Sequence, residues 1–343
     1  MRVRGGHHLR LFCLILACVL ALAGCSRLSP QTGQPKTRPK VGVLCGICPP
    51  TYEGSVPPAP TAAAFHDAFR ALGYVDGENV TLVWRGAGGQ NERLPTLAQE
   101  LVNQQVDVLV TLAASPGAAA ARQATSTIPI VFSGVGDPVG SGFIASFARP
   151  GGNMTGTSNY SPETVGKRLE QLKEIVPGLR RVGALYSFAN PSAARELQEA
   201  EAAASRLGFT LEPWDVRNLA DIEGAFAAHA ASPPDALFFS GEPFLFLNRH
   251  RLLEMVAERR LPASYNVREW AVDGGLMSYG FNLQALNRGA ATYVDRILKG
   301  TPPGEIPVQL PTTFDFVVNV KTARTLGLTI PTAILSQATE VIE

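Results

Sequence analysis

Two rhythms of apolar residues take turns along most of this chain. Short, almost wholly apolar runs, "KVGVLCG" (40–46), "VDVLVTLAA" (106–114) and "IPIVFSGVG" (128–136), have the look of strands buried on both faces. Between them, "TAAAFHDAFRALGY" (61–74), "RLPTLAQELVNQQ" (93–105) and "GAAAARQAT" (117–125) place apolar residues three and four apart, the helical period. Another strand-like run, "NVTLVWRG" (79–86), follows the first of these helices. Strict strand–helix alternation predicts a parallel sheet with helices on both faces.

The pattern then restarts. A helical stretch, "GKRLEQLKEIVP" (166–177), leads to "RVGALYSF" (181–188). The strand-like "TLEPWDV" (210–216) and "DALFFSGE" (235–242) come next, separated by helical "SAARELQEAEAAASRLGF" (192–209) and "DIEGAFAAHAA" (221–231). A weak internal repeat links the halves: "RALGYVDGENVTLVW" and "SRLGFTLEPWDV" each lead through a helix into an apolar strand. The expected fold is α/β, with two Rossmann-like lobes built on parallel sheets. A length of 343 residues exceeds one ordinary core and agrees with two.

The N-terminus stands outside this alternation. An apolar run from Leu11 to Ala23 follows Arg2, Arg4 and Arg10 with no acid before it. It falls short of the roughly 20 residues a membrane-spanning helix needs, and basic start, apolar core and small residues together form a secretory signal. Its end, Leu22-Ala23-Gly24-Cys25, resembles the bacterial lipobox, in which the cysteine is lipidated and becomes the mature N-terminus. Residues 1–24 are therefore expected to be a lipoprotein signal peptide, Cys25 the lipidated residue and 25–39 a flexible tether rich in Pro, Gln, Ser and Lys. No later segment is long and apolar enough to span a bilayer. The expected location is the periplasmic or extracellular face of the cell membrane, held there by lipid.

Charge removes one class of partner. Without residues 1–24, 27 basic residues face 29 acidic ones, and a near-neutral domain has no electrostatic footprint for nucleic acid. Of five cysteines, Cys13 and Cys18 leave with the signal and Cys25 carries lipid, so "CGIC" (Cys45 and Cys48) remains. In an exported protein this pair reads as a structural disulfide or plain loop thiols, as a redox pair, or as half of a metal site. A redox-active pair needs its first thiol at a helix N-terminus, and "PPTYEGSVPPAP" starts no helix before about Thr61. Zinc would need a second CxxC or clustered histidines, which the sequence lacks.

Catalytic signatures are missing too. There is no phosphate loop, no G-x-S-x-G elbow and no H-E-x-x-H. "GVGDPVG" (134–140) only loosely echoes a dinucleotide loop, and its Asp137 would repel pyrophosphate. His66, His229 and His250 each sit in a helical stretch. The expectation is a binding protein, not an enzyme, with no cofactor and no metal. Five polar–proline steps mark where strands turn into helices: Ser115-Pro116, Asp137-Pro138, Ser161-Pro162, Asn190-Pro191 and Glu242-Pro243. Proline suits the first helical position and the residue before it can cap. The same strand ends are where open α/β sheets bind ligands, and helix N-termini there attract anions.

Four segments carry a family resemblance: "TSTIPIVFSGVGDPVGSGFIASFARPGGNMTGTS" (125–158), "GKRLEQLKEIVPGLRRVGALY" (166–186), "GGLMSYGFN" (274–282) and "AATYVDRILKGTPPGEIPVQLPTTFDFVVNVKTARTLGLTIP" (290–331). They resemble ABC-transporter substrate-binding proteins of the type-I periplasmic-binding-protein fold, one branch of which is associated with tryptophan and other aromatic amino acids. The likeness covers nearly all of residues 40–343. It implies three crossings between the lobes, the first near Thr155–Ser161 and the second near Tyr279–Asn282. Lobe one would comprise 40–157 plus 282–305, and lobe two 158–281 plus 306–343. It further implies a monomer that closes on a small solute and delivers it to ABC permease subunits.

On that basis Ser115 and neighbouring amides are candidates for a ligand carboxylate, and Asp137 for an ammonium or hydroxyl. Asn159, Tyr160, Tyr186, Asn190, Glu242, Tyr265, Asn266 and Tyr279 are candidates for the facing wall. For each tyrosine the competing reading is packing, and for Asp137 it is capping. The chain departs from the family pattern over 45–61, where family members carry a short loop of small polar residues without CxxC; Tyr52 or Glu53 would reshape the pocket there. Two other functions stay open: a sensory or scaffold protein reusing the fold, and a thiol oxidoreductase using Cys45 and Cys48.

Overall fold

The computed structural model describes residues 38–50, 59–159 and 162–343. The signal segment, Cys25, Tyr52, Glu53 and Tyr160 lie outside the described residues. In chain order the first half runs β1 (Lys40–Cys45), α1 (Pro60–Ala71), β2 (Thr81–Gly86), α2 (Leu94–Asn103), β3 (Val108–Leu112), α3 (Ala114–Ala124), β4 (Ile130–Val135) and β5 (Met154–Ser158). The second half opens with α4 (Pro162–Ile175), β6 (Arg181–Tyr186), α5 (Ala193–Leu207), β7 (Thr210–Asp215), α6 (Leu219–Ala228) and β8 (Ala236–Phe239). It continues with α7 (Pro243–Leu247), α8 (Arg249–Glu258), β9 (Ala263–Tyr265), α9 (Arg268–Val272) and β10 (Met277–Phe281). Then come α10 (Leu283–Leu298), β11 (Phe314–Asn319), α11 (Val320–Thr325), α12 (Thr332–Gln337) and β12 (Glu340–Ile342).

The first sheet has the order β2-β1-β3-β4-β5 and is parallel throughout. The second has the order β12-β11-β10-β9-β8-β6-β7. It is parallel except where β10 meets β11, which runs antiparallel. That exception follows from connectivity: β11 enters the second sheet from the lobe junction, after α10 has taken the chain back to the first lobe.

Why these runs make strands is visible in their burial. β1, β3 and β4 are buried at almost every position, because apolar layers cover both faces of the sheet. One layer packs Phe65, Phe69 and Trp84 against Val294 and Ile297 of α10. The opposite layer packs Leu97 and Leu101 against Phe132 and Ile144. The second lobe repeats the plan, with Leu169 and Leu172 of α4 on one face of the sheet and Phe239 and Trp270 on the other.

Helix α10 completes the first lobe. Its Leu286, Ala290, Ala291 and Val294 are buried. Asn287 Nδ2 donates to the Thr61 carbonyl at 2.6 Å, while Asn287 Oδ1 accepts from Ser133 Oγ at 2.7 Å. The chain stays with the first lobe after α10 for longer than expected. Ile306 and Val308 are buried in the first-lobe core, and Gln309 N–H donates to the Gly156 carbonyl at 3.1 Å. The crossing into the second sheet therefore lies between Gln309 and Phe314, not at 306. Gly156 shows why the hinge strand can sit so close to its neighbour. Its φ is +150°, and a Cβ there would meet the Phe132 carbonyl oxygen at 1.9 Å.

Candidate functional site

The C-terminal edges of the two sheets face each other. From the first lobe come the Gly46–Cys48 loop after β1, the start of α3 and the Gly136-Asp137 turn after β4. From the second come the turn before α5, the Gly241-Glu242 step before α7, and Asn266 after β9. Ala114, at the head of α3, holds φ +50°, a strained conformation for a residue with a side chain. No side chain caps this helix, so its first N–H groups face the junction without intrahelical acceptors.

The lobes touch here. Ser115 Oγ and Ser192 Oγ share a hydrogen bond at 2.7 Å across the junction. Ser192 Oγ also accepts from Asp137 N–H at 3.1 Å, and Ser115 Oγ accepts from Gly136 N–H at 3.2 Å. A Cβ on Gly136 would come within 2.9 Å of Ser192 Cβ, so only glycine allows this approach. The conformation is closed.

Two compartments lie between the lobes. One, of about 70 Å³, is mainly apolar: Leu112, Phe246 and Phe281 form walls, and Asn159, Glu242 and Asn266 supply polar atoms. The other, of about 80 Å³, is charged, lined by Asp137, Arg168, Ser192, Glu196 and Tyr279. Asn159, Gly241, Asn266 and Phe281 line both, which makes the compartments neighbours.

The electrostatics of the second-lobe wall rest on two buried groups, Arg168 and Glu242, and on the half-buried Glu196. Arg168 is 2 % exposed. It donates to the carbonyls of Phe239 and Ser264, stands 3.9 Å from the Phe238 ring centroid and lies 3.8 Å from a Glu196 oxygen. Burial lowers its pKa to about 10 against the opposing pull of Glu196, so it stays cationic at neutral pH. Glu196 is raised to about 7, by burial first, with Arg168 opposing. Glu242 is also 2 % exposed. Its Oε1 accepts from Asn190 Nδ2 at 2.7 Å, while its Oε2 makes no hydrogen bond. Burial raises this carboxyl to about 8; the Asn190 and Ser187 donors oppose the shift, and the nearby Glu196 charge adds to it.

The expected residues fall into three groups. Asn159, Asn266, Glu242, Asp137 and Tyr279 line the compartments. The Asp137 carboxylate also turns back to accept from Gly140 N–H at 2.7 Å, closing its own loop. Ser115 and Asn190 stand just behind them. Ser115 is engaged with Ser192, while Asn190 steadies Glu242 and accepts from Ser192 N–H at 2.9 Å. Tyr186 and Tyr265 do not reach the junction and line neither compartment. Tyr186 is 0 % exposed and packs on Phe238, and Tyr265, also 0 %, stacks on Trp270. A strand-end residue points to a sheet face, and here both faces are core.

Of the polar–proline steps, Glu242-Pro243 opens a helix and Pro162 is the first residue of α4, while Ser161 lies outside the described residues. Pro116 lies inside the first turn of α3, and Asp137-Pro138 starts a turn with no helix after it. Cys45 and Cys48 are joined as a disulfide, with both residues fully buried. The loop they close presents Ile47 to the apolar compartment.

The residues that sequence reasoning missed are Arg168, Ser192, Glu196, Phe246 and Phe281. Arg168 had a legible signal. It falls on the apolar stripe Val165, Leu169, Leu172 and Ile175 of α4, where a cation must find partners inside. Ser192 follows Asn190-Pro191 at the head of a helix, which marks a cap but not its reach across the junction.

Comparison with known proteins agrees with this architecture. A curated tyrosine-binding protein of Clostridioides difficile (strain R20291) is 24 % identical over 325 residues, spanning 93 % of this chain and 92 % of that protein. A crystal structure of a conserved domain protein from Vibrio cholerae O1 is 29 % identical, with a TM-score of 0.79, over 89 % of this chain and 99 % of its own. The ABC domain from Streptococcus pneumoniae, solved in complex with L-Trp, is 25 % identical with a TM-score of 0.80, over 89 % of this chain and all of its own (100 %). The family model for ABC transporter substrate binding proteins matches residues 60–342. On that match, and with the two-lobed type-I periplasmic-binding-protein fold of its structural neighbours, the chain belongs to the ABC transporter substrate binding proteins.

Proposed function

We propose that this protein captures a small amphipathic solute, an amino acid with an aromatic one favoured, by closing its lobes, and delivers it to an ABC permease while lipid on Cys25 holds it at the membrane. The family acts by binding solutes and engaging permeases, not by catalysis. The observation that carries the reading is the compartment at the lobe junction, where Phe246 and Phe281 stand beside Asn159, Glu242 and Asn266. Apolar walls with a few convergent polar groups suit a small solute, and aromatic walls suit an aromatic one. The tyrosine-binding relative and the L-Trp complex point to the same chemistry. The buried sulfurs of Cys45 and Cys48 speak against an exchange reaction with a second protein.

The test is a thermal-shift panel on the domain from Ser26, unfolded and refolded to strip carried ligand. Amino acids, sugars, purines and aromatic acids at about 1 mM would be compared. A ligand present at 100 times its Kd adds about 2.7 kcal/mol to stability. A shift with tyrosine, tryptophan or phenylalanine supports the proposal. A shift only with another class keeps solute capture and removes the aromatic ligand, and silence across the panel counts against capture. For the anchor, a Cys25→Ser chain expressed in a bacterial host should lose label from radioactive palmitate and leave the membrane fraction.

A further inference from the structure

Glu242 is the odd group of the cleft. It sits on the second lobe, in a compartment whose other wall (Thr61, Leu112–Ala114, Ser133 and Gly134) belongs to the first. Asn190 holds one carboxyl oxygen, the Ser187 backbone N–H also acts on the carboxyl, and Oε2 has no donor within hydrogen-bond distance. Asn159 Oδ1, a second acceptor lining the same compartment, is likewise buried without a donor. Among the described residues no lysine or arginine lines this compartment. The charged groups that face Glu242 come from α4 and α5: Glu196 adds negative potential, and Arg168 is committed to Glu196 and two carbonyls.

We propose that Glu242 is the specificity-determining acceptor for the ammonium group of the solute, and that this pairing is what allows the lobes to close on it. The inference rests on the solute capture proposed above and adds a required charge to the ligand. Two acceptors in the lining of one compartment call for a group with several N–H donors. A neutral hydroxyl would satisfy one of them but leave the carboxylate charge buried and unpaired.

Opening the lobes withdraws the first-lobe wall and admits water to Glu242, which is then an ordinary hydrated carboxylate. Closing without ligand forces that carboxylate either to lose its water unpaired or to take up a proton, and both are unfavourable at neutral pH. An ammonium removes the penalty only in the closed state, and such a difference between states is what shifts a population.

The experiment is calorimetric titration of the wild type and Glu242→Gln with three kinds of probe. L-tyrosine and L-tryptophan carry amine and carboxylate, tyramine and tryptamine the amine alone, and 3-(4-hydroxyphenyl)propionate and indole-3-propionate the carboxylate alone. Small-angle scattering of each ligand-free protein reports closure, and circular dichroism reports folding. In the wild type the amino acids should bind at least about 100-fold more tightly than their deaminated analogues. Glu242→Gln should lose about that factor for the amino acids, change little for the deaminated acids, and shrink in radius of gyration without ligand.

Equal binding of deaminated acids by the wild type, or undiminished amino-acid binding by Glu242→Gln, overturns the inference and leaves solute capture standing. So does binding of an uncharged sugar in the wider panel. Failure of every probe and every panel compound overturns both. If Glu242→Gln does not fold, wild-type titrations in two buffers of different ionisation enthalpy decide the matter between pH 6 and 7. The ligand-free protein is open at this pH with Glu242 ionised, so amino-acid binding without proton uptake supports the pairing, and uptake of about one proton, which would leave the carboxyl neutral in the liganded cleft, overturns it.

Discussion

Ser115 Oγ and Ser192 Oγ lie 2.7 Å apart, one at the head of α3 in the first lobe and the other at the residue preceding α5 in the second. This bond exists only when the lobes meet, and the Asp137 N–H joins it from the first lobe. Ser192→Ala removes two hydrogen bonds of the closed state, those with Ser115 Oγ and Asp137 N–H, and none within either core. A neutral hydrogen bond contributes about 0.5–1.5 kcal/mol net. The expected result is a several-fold faster release of L-tyrosine or L-tryptophan in stopped-flow measurements, with the melting temperature of the ligand-free protein unchanged.

Arg168 supports the wall beneath the site. Replacing it by alanine removes a donor from the carbonyls of Phe239 and Ser264 and leaves Glu196 with only its Gly241 backbone contact. Leaving a buried hydrogen-bonding group unsatisfied costs about 1–3 kcal/mol, and the Glu196 pair, a quarter exposed on the acid side, adds less. Arg168→Ala should therefore lower the urea midpoint strongly. Arg168→Lys should recover only part of the loss, because an ammonium lacks the planar fork that serves two carbonyls at once.

These two residues show what could be read in the sequence and what could not. Strand and helix positions were legible because burial on both faces writes nearly continuous apolar runs, as in β3 and β4. The restart after residue 160 was legible for the same reason. The candidate site was legible only as a zone of strand ends: Asn159, Glu242 and Asn266 all follow strands that end at the junction. Which strand-end residue faces the junction was not legible. Tyr186 and Tyr265 end strands as Asn159 and Asn266 follow them, yet one position along a strand reverses the direction of a side chain. The Ser115–Ser192 contact joins positions 77 apart in sequence, and local pattern carries no trace of such a pairing. The antiparallel β11 was hidden because an isolated strand looks the same in either direction.

Glu242 gives closure a pH dependence of definite sign. In the closed, empty cleft its carboxyl is raised to about 8, whereas the open cleft returns it toward the ordinary 4.5. Closure without ligand therefore takes up a proton between those values. Its stabilisation is fully present below the open-state value and is lost as pH rises through about 8. Scattering of the ligand-free protein should show a smaller radius of gyration at pH 5 than at pH 8, and Glu242→Gln should flatten that dependence.

The Cys45–Cys48 disulfide closes a loop of sequence separation 3. Chain-entropy reasoning gives so short a loop only about 2 kcal/mol. The double Ser variant should accordingly fold, with a modest drop in urea stability. Its larger effect should be on solute affinity, because Ile47 inside the loop forms part of the apolar wall. With both cysteines fully buried, dithiothreitol should leave the bond intact until denaturant is added, as thiol titration of the native and unfolded protein would show.

Helix α10 has a consequence for the order in which this chain can mature. Asn287 on that helix bonds Thr61 across a separation of 226 residues, and the strands β6 to β10 of the other sheet are all translated in between. The second sheet, in turn, needs β11 and β12 from the end of the chain. A ribosome therefore releases no finished lobe early: the first waits for α10 and residues 306–309, and the second waits for the last strand. Folding is nested, one lobe inserted in the other, and the many long-range contacts this imposes belong to slow-folding topologies. The nascent chain stays incomplete until β12 has emerged, which leaves time for it to be handled as an unfolded polymer before either lobe locks.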